Sequence, residues 1–104
     1  MSHGRESYDW MRETLDLLFA SYDVEAATKC LRDELARNEL RRAVNRRLQS
    51  AGKDTIVPLG ERGDNLLQAI LALRIKFPRE EATAKLELNI AMREQHRGRM
   101  TGER

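Results

Sequence analysis

Two histidines and one cysteine are the residues of this 104-residue sequence best suited by type to metal binding or nucleophilic chemistry: His3, His96 and Cys30. A metal site needs three or four converging ligands, and no Cys or His pair stands at ligand spacing. Nucleophilic catalysis needs Cys30 or a serine beside a base, and no histidine is close to either in sequence. His3 lies in an N-terminal arm and His96 at the end of the last helical pattern, so both read as solvent-facing. The Gly60-Glu61-Arg62-Gly63 turn has neither the length nor the lysine of a phosphate-binding loop. Same-face charges such as Asp9 with Glu13 and Asp33 with Arg37 read as solvated helix surface. The expectation is a chain that is not an enzyme, with no metal and no cofactor.

The remaining chemistry is electrostatic. Arg37, Arg41, Arg42, Arg46, Arg47 and Lys53 fall within seventeen positions that hold a single acid, Glu39. Fifteen of the nineteen basic residues are arginine, whose fork suits phosphate and carboxylate. These six are therefore candidate contacts for nucleic acid or an acidic protein. Arg42 and Arg46, four apart and pointing away from Leu40, Val44 and Leu48, are the best exposed of them. No aromatic residue interleaves the segment, so any contact would be to backbone phosphate and not by base stacking. Residues 1–36 carry net −4, residues 37–53 net +5 and residues 54–104 net +1. An acidic first helix packed beside the basic segment would neutralise much of it without an external partner.

The elements that position these charges are helical. Tyr8, Met11, Leu15, Leu18 and Tyr22 recur at spacings of three and four, which predicts a helix over about 7–21 with Ser7 as N-cap. Trp10 and Leu17 lie off that stripe, so this helix buries two faces or lends one to a partner. Asp23 can cap a second helix, predicted over 24–51 because no Gly or Pro interrupts it. Its apolar positions change sides: Val24, Ala27, Leu31 and Leu35 make one stripe, and Leu40, Val44 and Leu48 lie roughly opposite. A continuous or gently kinked helix burying opposite faces is favoured over a break near Asn38. Gly52 should terminate it.

A connection over 53–63 contains Thr55-Ile56-Val57-Pro58-Leu59, read as an extended loop pinned over the core, because Pro58 and the lack of a partner argue against a strand. Asn65 with Gln68 suggests a capping box, with Asp64 as an alternative cap, for a third helix over about 65–77, apolar nearly all round. Pro78 then opens a fourth over about 78–96, with Ala82, Leu86 and Ile90 inward and Leu88 and Met92 as a weaker second stripe. A helix-turn-helix reading of Leu73 to Asn89 fails, because Glu87 stands near the turn and Arg93 near a position that should be buried.

The predicted fold is all-α: one domain over 1–104, four helices in two hairpins, with a mobile arm at 1–6 and a mobile tail at 97–104. Its apolar faces exceed what four such helices need to bury, so Trp10, Leu17, Leu40, Val44 and Leu48 are candidate self-association residues. A lone cysteine and the absence of a long apolar run suit a cytoplasmic protein that does not enter the membrane. The functional expectation is a non-enzymatic interaction or regulatory module that binds a protein partner or a second copy of itself. The alternative is a nucleic-acid-binding regulator that uses residues 37–53.

Overall fold

The computed structural model describes residues 8–102, with side-chain surroundings through His96. Five helices follow one another: α1 (Asp9–Ser21), α2 (Val24–Arg32), α3 (Glu34–Ser50), α4 (Gly60–Lys76) and α5 (Arg79–Gly102). The expected all-α class is the one observed, and no strand occurs among the described residues.

α1 and α4 form the central pair: α1 packs against α3, α4 and α5, and α4 against α1, α2 and α5. Both apolar faces of α1 are used inside the chain: Trp10, Met11, Leu15, Leu17 and Leu18 are all buried. Thr14, also buried, satisfies its hydroxyl by donating to the Trp10 carbonyl at 2.6 Å. The predicted cap Ser7 lies outside the described residues, as does the arm 1–6. The helix is preceded by Tyr8, whose carbonyl accepts from Met11 N at 3.1 Å.

The predicted helix over 24–51 is two helices, and the break falls at Asp33 rather than Asn38. Asp33 adopts an extended backbone (φ −118°, ψ 115°), and its carboxylate accepts from the Leu35 amide at 3.0 Å, starting α3. The last carbonyls of α2 are satisfied from a distance: Arg37 Nη1 donates to the Cys30 and Leu31 oxygens at 3.2 and 2.8 Å. The break resets the helical phase. Ala27 and Cys30 of α2 and Leu40, Val44 and Leu48 of α3 thereby join one core instead of two opposite faces. Val24 and Leu35, expected inward, are 46% and 74% exposed. Asp23 caps α2 as expected, accepting from Ala26 N at 2.8 Å.

α3 ends in a Schellman motif at Gly52 (φ +75°), with Lys53 N bonded to Leu48 O and Gly52 N to Gln49 O. The connection that follows is held by a single inward residue: Val57 is fully buried, and its amide donates to Asn45 Oδ1 at 2.9 Å. Its neighbours Ile56 and Leu59 face outward.

α4 begins at Gly60, five residues before the predicted start, so Gly60 to Gly63 form its first turn. Buried Gly63 explains the early start: a Cβ there would overlap the Pro58 carbonyl, and its absence lets the helix close against the loop. Neither Asn65 nor Asp64 is the cap. Asp64 is used instead for contacts with Arg37 and Gln68.

Phe77 and Pro78 separate α4 from α5, as expected, and the two helices pack against each other. Ala82, Leu86 and Ile90 are buried as expected. α5 does not stop near His96; its backbone stays helical to Gly102, which takes in most of the segment read as a tail.

Candidate interaction surfaces

The five residues proposed for self-association are not on the surface. Trp10, Leu17, Leu40, Val44 and Leu48 are between 0% and 7% exposed, covered by the chain's own helices. For Leu40, Val44 and Leu48 the apparent surplus arose from reading α2 and α3 as one continuous helix, and for Trp10 and Leu17 from not seeing that both faces of α1 are covered within the chain. With the break at Asp33 that surplus is absorbed within one core.

The six basic candidates divide into three groups. Arg37 is internal: its guanidinium grips both Asp64 oxygens at 2.7 and 3.1 Å while capping α2. This pairing holds the Asp64 carboxyl below its usual range, chiefly through the Arg37 hydrogen bond, with Gln68 adding a second. Arg41 is half-buried; its Nη1 donates to Asn38 Oδ1 at 2.6 Å, and its Nε is buried with no hydrogen-bond partner among the described residues.

The second group is neutralised by α1. Arg47 meets Glu13 at 2.6 Å and Asp16 at 3.5 Å, and Lys53 meets Asp9 at 3.2 Å. Asp9, Glu13 and Asp16 lie on one side of α1 by helical spacing, so the acidic first helix does compensate the basic segment. That leaves Arg42 and Arg46, both exposed on α3 with no ion pair among the described residues.

Two clefts flank α1. The one facing α5 encloses about 400 Å³ over Leu15, Phe19 and Leu86. Its charged rim is closed on itself by the pairs Arg12–Glu87 (2.7 and 2.9 Å), Arg79–Asp16 (2.7 Å) and Lys53–Asp9. Glu87 is held below the usual carboxylate range by its bond from Arg12. The other cleft, about 660 Å³ and more open, lies between α1 and α3, with Glu13 and Asp16 opposing Arg46, Arg47 and Ser50.

One surface stands apart in character. On the outer side of α5, opposite Leu86 and Ile90, Leu88 and Met92 are 62% and 60% exposed, one turn apart, with exposed Ala84 and Ala91 beside them. The sequence marked Leu88 and Met92 only as a weaker stripe.

Sequence reasoning missed Asp64 and Arg74 as internal partners. Arg74 donates to the Tyr22 carbonyl at 2.8 and 3.1 Å and to Leu18 O at 3.3 Å, closing the end of α1, and lies over the Phe19 ring at 4.4 Å. A charged residue inside an almost wholly apolar helix was the available signal.

Comparison with known proteins gives no significant match to any family model, curated protein or solved structure. Among the described residues, no helix is long and apolar enough to cross a membrane.

Proposed function

We propose that this chain is a small non-enzymatic helical module that works through protein–protein contact, with the outer face of α5 as its contact surface. The observation that supports this is the exposed Leu88–Met92 pair. Burying two such side chains gains on the order of 1.5–3 kcal/mol each before the costs of association, enough to anchor a partner helix or groove. Protein interfaces place an apolar, charge-depleted patch at their centre, and Ala84, Leu88, Ala91 and Met92 make such a patch. Buried, unpaired Cys30 fits a reducing compartment such as the cytoplasm.

The test is a comparison of wild type, Leu88→Glu with Met92→Glu, and the control Leu35→Glu in pull-downs from the native host after nuclease treatment. Sedimentation of the same proteins reads a second copy as partner. Proteins, or a dimer, retained by wild type and the Leu35 variant but lost from the α5 variant are expected. Identical profiles for all three would remove the α5 face from consideration.

A further inference from the structure

A second surface differs in chemistry from the α5 face and goes beyond the reading above. Along this side of α3 the exposed positions are Leu35, Glu39, Arg42, Arg46, Gln49 and Ser50; the one apolar side chain, Leu35, stands at the N-terminal end of the row, two turns from Arg42. Protein interfaces need an apolar centre, and the only apolar side chain of this ridge stands at its end, with the centre held by Arg42 and Arg46; nucleic-acid interfaces are more polar and strongly positive. Arg42 and Arg46 are separated by a helical rise of about 6 Å, so both guanidiniums can engage successive charges on one strand. Each fork can hold a phosphate by two parallel bonds. Glu39 is the only acid on the ridge and lies one turn from its basic centre.

Arg46 is also on the wall of the cleft between α3 and α1, next to Arg47. Arg47 would extend the ridge to three arginines, yet its guanidinium is already held by Glu13 at 2.6 Å and, more loosely, by Asp16 at 3.5 Å. The Arg47 and Glu13 side chains remain 39% and 22% exposed, so a phosphate can reach this pair and compete for it. We propose that the Arg42–Arg46 ridge binds the phosphate backbone of nucleic acid without reading sequence, and that Glu13 acts as a built-in competitor that withholds Arg47 and keeps the affinity low.

The salt dependence of binding counts the phosphates engaged. Each phosphate neutralised on duplex DNA contributes about −0.9 to the slope of log K against log salt. Two free arginines give a slope of about −1.8, and a freed third gives about −2.7. The experiment is fluorescence anisotropy with a labelled DNA duplex of about 20 base pairs across a salt series starting at about 20 mM, with circular dichroism to confirm the fold of every variant. Wild type is expected to bind weakly with the shallower slope, and Glu13→Gln to bind several-fold more tightly with the steeper one. Arg42→Glu with Arg46→Glu should abolish binding with helicity intact.

No wild-type binding at the lowest salt overturns the proposal, as does binding unaffected by the double arginine variant. An unchanged slope and affinity in Glu13→Gln overturns the competitor role. Displacement of the duplex by poly-glutamate as readily as by unlabelled duplex would assign the ridge to acidic proteins instead. None of these readouts involves Leu88 or Met92, so this proposal and the α5 contact fail independently.

Discussion

Arg37 shows how one side chain can look like a surface cation in sequence and act as a structural bolt. Its 8% exposure places the charge where desolvation is costly, and it makes four hydrogen bonds, two to Asp64 and two to carbonyls at the end of α2. Removing Arg37 leaves Asp64, whose side chain is a quarter exposed, without its main partner and two α2 carbonyls without their donor, which typically costs about 1–3 kcal/mol. Arg37→Ala should therefore lose about that much in urea denaturation, whereas Arg42→Ala, exposed and unpaired, should stay within about 0.5 kcal/mol of wild type. Equal effects would show that Arg37 is not anchored as described. The same pair sets a pH dependence. Asp64 has a folded pKa below its unfolded value, so its contribution is complete above the unfolded carboxylate range of about 4 and is lost as pH falls through the lower folded pKa. Asp64→Asn should be less stable at neutral pH and should lose less stability on acidification than wild type. Parallel acid-unfolding curves for the two would contradict this. Nothing in the local sequence around Arg37 distinguishes it from Arg41 or Arg42; only its partner twenty-seven residues away does, and that separation is invisible to periodicity.

At the scale of elements, the decisive residue is Asp33. Its carboxylate caps α3, and replacing an Asp N-cap by Ala costs about 0.5–2 kcal/mol. Asp33→Ala should be destabilised by about 1 kcal/mol, while Asn38→Ala, at the break expected from sequence, should lose less, since Asn38 only accepts from Arg41 at the α3 surface. The reverse order would argue for one continuous helix. The helical class, the Asp23 cap, the Gly52 stop, the Phe77–Pro78 break and the inward stripe of α5 were all legible in the sequence, because each rests on local chemistry. The Asp33 break was not, since Asp also occurs within helices and the decisive partners of this break come from Arg37 beyond it. The early start of α4 was equally hidden: it depends on Gly63 meeting the Pro58 carbonyl, a tertiary contact. The first of these errors propagated to the candidate sites. Reading α2 and α3 as one helix turned core residues such as Leu40 and Val44 into supposed self-association residues, while Leu88 and Met92, which are exposed on α5, were read only as a weaker stripe.

The whole molecule is organised around the α1–α4 pair, and α1 carries most of its charged contacts. α1 buries side chains on both faces, its acids bind Arg47, Lys53 and Arg79, and its end is closed by Arg74. Most of its ion pairs are exposed, so each is worth about 0–1 kcal/mol and weakens with salt; the apolar contacts carry the stability. A helix shared by three neighbours leaves no unit able to unfold alone while retaining its own core, which favours a two-state transition. Trp10 is the only tryptophan and is 1% exposed at the start of this helix, so its fluorescence reports on the core while far-UV ellipticity reports on all five helices. The two signals should melt together. Leu18→Ala, at a fully buried position of α1, should cost about 2–5 kcal/mol and lower the midpoint by about 10 °C or more, with both signals still coincident. Ellipticity that outlasts Trp10 fluorescence, in either protein, would mean that part of the bundle stands without α1.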